Sequence, residues 1–205
     1  MGIGKVAKPA IFLDRDGVIN ALVLNPSTGR MESPLTVTEF RLLDGVLPAL
    51  LRLRRAGYSL SLVSNQPNYA LGKSTLRNLG AIHYRLVSEL LAAGIQFTRF
   101  YYCLHHPQGI RSGYSGPCVC RKPSPWFLLR ARDEFGYSLR DCWMIGDLPT
   151  DMECGKAAGA RTIRLTSGSR PTAPEPAGPL ADPHADYCAR DLAAAVDIIL
   201  TRPGG

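Results

Sequence analysis

The chain has 205 residues, of which 45% are hydrophobic, and its formal net charge is +7. This size suffices for one sizeable core, and no apolar run is long enough to cross a membrane, so we expect no membrane association. The basic balance alone is weak evidence for nucleic acid, and no stripe of aromatic and basic residues accompanies it. A positive field also attracts phosphorylated metabolites, and we expect that kind of partner instead.

The N-terminal segment and the cysteines indicate the compartment. The first eight residues contain no long apolar core and run directly into the first predicted strand, which is not the pattern of a secretion signal. We therefore expect a cytoplasmic protein with reduced thiols. Cys142, Cys154 and Cys188 have apolar neighbours and are typical of packed thiols.

Two carboxylates follow the first predicted strand. The apolar run 10–13 is typical of a buried strand, and Asp14, Asp16 and Gly17 come directly after it. Side chains two apart on an extended segment point the same way, so Asp14 and Asp16 can face one centre, and Gly17 lets the chain turn. One carboxylate can attack while the other moves protons. An ordinary surface turn is the alternative interpretation.

Polar side chains also follow a second predicted strand, and a basic pair stands further along the chain. Ser64 and Asn65 end the apolar run that begins at residue 60, and hydroxyl and amide donors suit phosphate oxygens. Arg121 and Lys122 precede Pro123, near a predicted helix start, and offer an oxyanion a guanidinium fork and a point charge. A turn and a solvated basic face are the ordinary alternatives.

A third predicted strand, residues 143–146, ends in an acidic pair. Asp147 follows it directly, and Asp151 comes four residues later. Carboxylate oxygens are the ligands that Mg²⁺ prefers, although acidic residues are also common at helix N-termini. Because several polar motifs share this placement at strand ends, where open α/β sheets bind ligands, we interpret them as one active site.

A cluster of soft ligands predicts structural zinc. Cys103, His105, Cys118 and Cys120 supply three thiolates and an imidazole, which leaves no open position on a tetrahedral ion. Alternate residues of an extended segment share a face, so each pair can point at one ion. A disulfide and free buried thiols are the alternatives. His106 is adjacent and chemically equivalent, so it can replace His105.

The order of apolar patterns predicts an α/β fold. Short apolar runs alternate with helical patterns, which favours a central parallel sheet with helices on both faces. Residues 167–183 are rich in Pro, Gly and Ala, which predicts a flexible connection. His83 lies beside the apolar stripe of one predicted helix, and we interpret it as a packed or surface histidine. The predicted helices are 45–56, 74–93, one from 125, 152–158 and 190–200, and the later strands are 97–102 and 161–165.

The motifs in this order resemble those of the haloacid dehalogenase-like phosphohydrolases. The strings at 12–17, 64–66, 101–109 and 118–123 resemble the branch that contains the D-glycero-D-manno-heptose 1,7-bisphosphate phosphatases and the histidinol-phosphate phosphatases. The resemblance spans residues 9–165. It implies a single Rossmann-like domain over residues 1–205, with no large cap domain and with the zinc loop, residues 103–120, near the active site.

The resemblance also implies a two-step phosphoryl transfer through an aspartyl-phosphate. Asp14 attacks phosphorus, and Asp16 protonates the departing sugar oxygen before it activates water. Ser64 and Lys122 are expected to bind the transferring phosphoryl oxygens. The implied Mg²⁺ ligands are the Asp14 carboxylate, the Asp16 backbone carbonyl, Asp147 and, through water, Asp151. The implied substrate-binding residues are Arg15, Asn65, Gln66 and Arg121.

The expected reaction is removal of the 7-phosphate from D-glycero-D-manno-heptose 1,7-bisphosphate or a close sugar phosphate, as in lipopolysaccharide biosynthesis. Histidinol phosphate is an alternative substrate, for which Glu32 and Glu39 are the evident acidic partners. The alternative from another functional class is a catalytically inactive binding module that is stabilised by zinc. We expect a monomer, with a weak dimer as the other possibility.

Three departures from the heptose enzymes concern specificity. Leu71 stands where those enzymes commonly have arginine, Leu148 stands where they commonly have lysine, and the loop 21–40 is longer than its counterpart. The phosphate-transfer residues are unaffected by these changes. We hypothesise that Arg30, Lys73 or Arg121 holds a second phosphate.

Overall fold

The computed structural model describes residues 9–26, 28–166 and 183–202. Its strands are β1 (Ala10–Leu13), β2 (Val23–Asn25), β3 (Arg30–Glu32), β4 (Ser59–Asn65), β5 (Arg99–Cys103), β6 (Trp143–Gly146), β7 (Arg161–Leu165) and β8 (Tyr187–Ala189). Six of them form one parallel sheet in the order β5-β4-β1-β6-β7-β8. Strands β2 and β3 pair antiparallel as a separate hairpin.

The described residues contain five α-helices. They are α1 (Val46–Arg55), α2 (Leu76–Ala92), α3 (Trp126–Phe135), α4 (Pro149–Ala158) and α5 (Leu192–Thr201). The side chain of Thr75 caps α2 by accepting a hydrogen bond from the backbone N–H of Asn78 at 3.1 Å. Helix α4 begins three residues before the predicted position, because Pro149 occupies its first turn, where a missing N–H costs nothing.

The two faces of β1 bury different helices. Ile11 and Leu13 belong to the apolar cluster that contains side chains of α1, α2 and α5, whereas Ala10 and Phe12 belong to the cluster that contains side chains of α3 and α4. All four residues of β1 are fully buried, as expected for a strand covered on both sides. The sheet therefore separates two helical layers, and the predicted α/β class is confirmed.

Two features of the fold lacked a clear sequence signal. The predicted long loop 21–40 contains the β2–β3 hairpin, and the final segment contains β8; each of these strands is only three residues long. The connection predicted at 167–183 lies, except for Pro183, outside the described residues. Within the described ranges, no helix is long and apolar enough to span a membrane.

Candidate active site

A cleft opens at the carboxyl ends of the central strands. Leu13 of β1 pairs in register with Leu62 of β4 and with Ile145 of β6, so the residues that follow these strands meet at one edge. The backbone N–H of Asp14 donates to the carbonyl of Ile145 at 2.9 Å. The cleft has a volume of about 750 Å³, and its lining includes Asp14, Asp16, Asn65, Arg121, Lys122, Asp147 and Asp151.

Lys122 is a buried positive charge at the base of the cleft. Its Nζ lies 2.9 Å from Asp14 Oδ1 and 2.6 Å from Asp151 Oδ1, and it donates to the carbonyl of Val63 at 2.7 Å. Burial acts to lower the pKa of Lys122, but the two carboxylates outweigh burial and raise that pKa above its usual value. Lys122 is therefore protonated at neutral pH.

Asp14, Asp147 and Asp151 form an acidic cluster, with one oxygen from each within 4.8 Å of the others. Burial and the charges of its two neighbours raise the pKa of Asp147 to about 8, and burial raises the pKa of Asp151 to about 6. Oδ1 of Asp147 is buried and has no hydrogen-bond partner in the described part of the chain. Lys122 pairs with Asp14 and Asp151 only, so the three carboxylates together keep an excess of negative charge, which fits a divalent cation with oxygen ligands.

Asp16, in contrast, is surrounded by donors. Arg15 contacts its Oδ1 through Nε at 3.1 Å and through Nη2 at 3.0 Å, and Asn20 donates to the same oxygen at 2.9 Å. Gln66 Nε2 donates to Oδ2 at 2.5 Å. Burial opposes ionisation of Asp16, but Arg15 and these hydrogen bonds outweigh it and hold the pKa below its usual value.

Three of the residues predicted to bind substrate are almost fully buried next to the cleft. Arg15, Ser64 and Gln66 are each about 1% exposed and are not among the residues that line it. Arg15 also donates to Gln66 Oε1 at 2.7 Å, and the hydroxyl of Ser64 accepts from Gln66 Nε2 at 3.0 Å. Arg15 and Gln66 contact Asp16 directly, and Ser64 contacts Gln66, so the three side chains belong to one hydrogen-bonded group around the carboxylate.

Asn65 and Arg121 lie in the cleft lining, and both also hold neighbouring backbone. The Asn65 side chain donates to the carbonyl of Lys122 at 3.1 Å and accepts from its N–H at 3.0 Å. Arg121 Nη1 donates to the carbonyl of His105 at 3.2 Å. These contacts connect β4, the basic pair and the cysteine-containing loop around one opening.

The cleft mouth carries charges from the β2–β3 hairpin. Arg30 and Glu32 of β3 line it together with Lys73, whose Nζ lies 3.0 Å from Glu32 Oε2. Leu71 and Leu148, the two departures from the heptose enzymes, line the same opening. The long first loop therefore contributes a wall of the cleft.

Cys103, His105, Cys118 and Cys120 also form a cluster with ligand atoms within 4.8 Å of one another. Sulfur–sulfur distances run from 3.3 to 3.8 Å, and the Nδ1 atom of His105 lies 3.9 Å from Cys103 Sγ. A tetrahedral zinc ion with bonds of about 2.3 Å requires ligand separations of about 3.8 Å, so the geometry suits zinc. His106 lies outside this cluster, and its Nδ1 accepts from the N–H of Gln108 at 3.1 Å.

Sequence reasoning missed two further site residues. Asn20 is fully buried beside Asp16, and its short polar side chain between apolar residues was the available signal. Gly146, which ends β6, leaves no room for a Cβ, since that atom would overlap the side chain of Asp151. A glycine directly before an acidic pair was the available signal for this close approach.

A doubly wound parallel sheet with an acidic cleft at its carboxyl edge is typical of α/β proteins that bind ligands at that edge. The family profile described as HAD-hydrolase-like matches residues 119–195. The Escherichia coli K12 D-glycero-β-D-manno-heptose-1,7-bisphosphate 7-phosphatase is 35% identical over 185 residues, which are 90% of each chain. The Vibrio cholerae enzyme of the same name is 36% identical over 166 residues, 81% of this chain and 85% of its own.

Solved structures agree with this assignment. The D,D-heptose 1,7-bisphosphate phosphatase from B. bronchiseptica, complexed with magnesium and phosphate, superposes with a TM-score of 0.72 at 25% identity and covers 95% of this chain and 99% of its own. A putative HAD-like phosphatase from Mesorhizobium loti gives a TM-score of 0.71 at 26% identity, over 97% of this chain and 91% of its own. The chain belongs to the haloacid dehalogenase-like phosphatases, among which it is similar to the heptose bisphosphate 7-phosphatases.

Proposed function

We propose that this protein is a Mg²⁺-dependent phosphohydrolase that removes the 7-phosphate from D-glycero-β-D-manno-heptose 1,7-bisphosphate. The observation that carries the proposal is the meeting of Asp14, Asp16, Lys122 and Asp147 in one cleft. The chain that brings them together is 35% identical over nine-tenths of its length to an enzyme named for that reaction.

The acidic cluster is the proposed Mg²⁺ site. Asp14, Asp147 and the backbone carbonyl of Asp16 would hold the ion directly. Asp151 would act through water, because its Oδ1 already contacts Lys122 and its Oδ2 accepts from the N–H of Leu148 at 3.1 Å. When bound, the ion offsets negative charge between the nucleophile and the phosphate.

Asp14 is the proposed nucleophile. A carboxylate oxygen of Asp14 forms a bond to phosphorus while the bond from phosphorus to the sugar oxygen breaks, and the leaving oxygen takes a proton from Asp16. A water molecule then loses its proton to Asp16 and attacks phosphorus, which breaks the aspartyl-phosphate bond and releases inorganic phosphate. Lys122 contacts Asp14 and is positioned to bind transferring oxygens, with Ser64 contributing from beneath.

The environment of Asp16 fits the second step directly. Arg15 and Gln66 favour the carboxylate, which is the form that accepts a proton from water. The first step requires protonated Asp16. A substrate phosphate dianion near Asp16 favours proton uptake, because a like charge raises the pKa of a carboxyl group.

The non-reacting phosphate is proposed to lie at the cleft mouth. Arg30, Lys73 and Arg121 line the same opening as Leu71 and Leu148, where the usual arginine and lysine are missing. Binding of a phosphate by Lys73 would replace its ion pair with Glu32. We expect Arg30→Gln and Lys73→Gln to raise KM for the bisphosphate and to leave KM for a monophosphate little changed. An unchanged KM for the bisphosphate would remove this part of the proposal.

The cysteine cluster is proposed to hold structural zinc. Four N and S ligands without an open position favour a structural role. Pro107, Gly116 and Cys118 of this loop line the cleft, so an ordered loop forms one of its walls. Thiolate zinc ligands must stay reduced, which suits a reducing compartment. We therefore propose a cytoplasmic enzyme, and we expect it to be a monomer.

The decisive experiment is phosphate release measured with Mg²⁺ and with EDTA. The panel contains both anomers of the heptose 1,7-bisphosphate, fructose 1,6-bisphosphate, histidinol phosphate and a 3′-phosphorylated oligonucleotide. Selective, Mg²⁺-dependent cleavage of the β anomer is expected. Preference for another member of the panel would overturn the substrate assignment but leave the reaction class intact.

The alternatives have weaker support. The acidic partners considered for histidinol phosphate are both engaged, since Glu32 pairs with Lys73 and Glu39 accepts from the backbone N–H groups of Leu35 and Thr36. If the protein were a catalytically inactive binding module, it would release no phosphate, or any release would be unchanged in Asp14→Asn. A nucleic-acid phosphatase would bind with an affinity that falls steeply as salt rises.

A further inference from the structure

The β4–α2 loop, residues 67–73, has some residues that face the cleft and others that face the zinc loop. Asn68 and Leu71 line the cleft. Tyr69 and Ala70, which stand between them in the chain, contact the zinc loop instead. Because the two kinds of residue alternate within one short loop, a contact on the zinc-loop side helps to fix the side chains that face the substrate.

A backbone hydrogen bond and two side-chain contacts join the β4–α2 loop to the zinc loop. The N–H of Ile110 donates to the carbonyl of Ala70 at 2.7 Å. The rings of Tyr69 and Tyr114 meet edge to face, with centroids 4.9 Å apart and planes at 90°, which is a preferred arrangement of aromatic pairs. The guanidinium of Arg111 lies 5.8 Å from the centroid of the Tyr69 ring, within range of a cation–π contact. Both side-chain contacts therefore depend on the ring of Tyr69.

The two loops fit closely where they meet. Ala70 is fully buried, and a Cβ added to Gly109 of the zinc loop would lie 3.1 Å from the Ala70 Cβ. Gly72 has a φ of +71°, which favours glycine, and a Cβ there would lie 2.7 Å from Ile110 Cδ1. This close approach leaves little room for the β4–α2 loop to shift while the contact is intact.

Hydrogen bonds within the β4–α2 loop connect Tyr69 with the residues that face the cleft. The N–H of Gly72 donates to the carbonyl of Tyr69 at 3.0 Å, and the N–H of Lys73 donates to the carbonyl of Asn68 at 2.9 Å. Asn68 and Lys73 both line the cleft. A displacement of Tyr69 would therefore move groups that face the substrate.

We propose that Tyr69, held by Tyr114 of the zinc loop, is a positioning residue that sets how the cleft mouth binds the part of the substrate that does not react. This inference rests on the proposed function, in which Lys73 is one of the residues that can hold the non-reacting phosphate. Tyr69 is not among the residues that line the cleft, so its loss removes no direct contact with substrate. The reacting phosphate is expected at Asp14 and Lys122, so kcat should be unaffected and KM should rise.

The central test compares alanine substitutions at two tyrosines, with the sugar phosphate that the wild type cleaves most efficiently. Tyr69→Ala is expected to raise KM about five-fold and to change kcat less than about two-fold, as for a lost aromatic pair that acts on binding alone. The matched control is Tyr84→Ala, which removes the same side chain from α2, where it is 77% exposed, and should keep both constants. Tyr69→Phe keeps the ring that makes the contact and should keep the wild-type KM.

A second substrate distinguishes the cleft mouth from the reacting centre. The ester p-nitrophenyl phosphate carries one phosphate and no sugar, so it does not need the groups of the β4–α2 loop. Its KM and kcat should be the same in Tyr69→Ala and in wild type. An equal rise of KM for both substrates would overturn the positioning role, because the change would then affect the reacting phosphate.

A double-mutant cycle tests Tyr114 as the partner. Tyr114→Ala should raise KM about as much as Tyr69→Ala, and the double variant should be no worse than either, because both remove one contact. The ring of Tyr114 also lies near that of His105, with centroids 5.5 Å apart, so the zinc content of each variant is measured with a chelating dye. Additive rises in KM, or a raised KM only in variants that have lost zinc, would overturn the inference.

Amide hydrogen exchange gives a measurement that does not depend on activity. The N–H groups of Gly72, Lys73 and Ile110 should exchange faster in Tyr69→Ala than in Tyr84→Ala, whereas those of β4 should be equally protected in both. Equal exchange at Gly72, Lys73 and Ile110 in the two variants would show that the Tyr69 ring does not hold the loop.

The outcomes separate this inference from the proposed function. If the wild-type protein with Mg²⁺ hydrolyses neither a sugar phosphate nor p-nitrophenyl phosphate, the proposed function fails, whatever the exchange measurement shows. If it hydrolyses a sugar phosphate and Tyr69→Ala matches Tyr84→Ala in KM, the positioning role fails and the phosphatase assignment stands. Thermal melting of each variant identifies a change in KM that comes from unfolding.

Discussion

The two acidic regions of the cleft differ in how their charge is compensated. Asp16 is contacted by Arg15, Asn20 and Gln66, and its pKa is held below the usual value although burial acts against this. Asp147 is buried beside Asp14 and Asp151, which form the ion pairs with Lys122, and its pKa rises to about 8. One residue type at one sheet edge is therefore tuned in opposite directions.

This difference follows the chemistry proposed for each region. A carboxylate that takes a proton from water must be ionised and must point in a fixed direction, so it needs partners from the protein itself. A cation site must keep ligand oxygens unpartnered, as Oδ1 of Asp147 is, because those oxygens bond to the ion. The acidic cluster is thus destabilising until a cation binds, whereas the surroundings of Asp16 are complete without one.

The largest effect is expected from Asp14→Asn. This change removes the proposed nucleophile and should lower phosphate release at least about a thousand-fold. The matched control is Asp133→Asn on the exposed surface of α3, which should keep wild-type turnover. Turnover by folded Asp14→Asn above a hundredth of the wild-type rate would contradict covalent catalysis at this position.

Arg15→Met tests the compensated region. Removing one partner of a buried ion pair leaves an uncompensated charge, so the free energy of unfolding should fall by about 3 kcal/mol, measured by urea denaturation. Arg132→Met is the control, because it removes an exposed pair with Asp133, and no measurable change is expected. Equal stabilities of the two variants would show that the surroundings of Asp16 do not depend on Arg15.

Asp147→Asn tests the uncompensated region and should change stability and activity in opposite directions. In EDTA the variant should be more stable than wild type by about 1–2 kcal/mol, since a repelling charge is gone. Its Mg²⁺-dependent phosphate release should be abolished, and added Mg²⁺ should no longer raise Tm. A destabilised variant in EDTA would indicate that Asp147 is satisfied without an ion.

Sequence reasoning located the acidic cluster because it depends on topology. The carboxyl ends of parallel strands lie at one edge, so residues that follow β1 and β6 had to meet once the strands were identified. The cysteine cluster was equally predictable from the sequence, since alternate residues of an extended segment share a face. In both cases a local pattern and one rule of sheet geometry were sufficient.

The supports of Asp16 could not be derived in that way. Gln66 is 50 residues from Asp16, and the direction of a long side chain such as Arg15 depends on which partner packs beneath it. The hydrogen bond between Tyr102 and His83 likewise joins a strand and a helix that are far apart in the sequence. Strand β8 was missed because three residues are too few to show a periodic pattern. Its position beside β7 is also marked by a side-chain contact that the sequence does not reveal, since Asp186, directly before β8, accepts a hydrogen bond from the N–H of Thr162 in β7.

The smallest expected effect is a pH dependence that distinguishes the two regions in metal-free protein. The folded-state pKa of Asp147 is about 8, against an ordinary 3.8, so its protonated form stabilises the fold and that contribution is lost as pH rises from about 4 to about 8. The gap in Tm between Asp147→Asn and wild type should therefore widen over this range in EDTA.

For Asp16 the pH dependence of stability should have the opposite sign, since its lowered pKa gives stability that is lost only as pH falls below about 4. Accordingly, Asp16→Asn should be less stable than wild type at pH 7, and this gap should narrow towards pH 3. If both variants were more stable than wild type at pH 7, or both less stable, the surroundings of Asp147 and Asp16 would not shift the two pKa values in opposite directions.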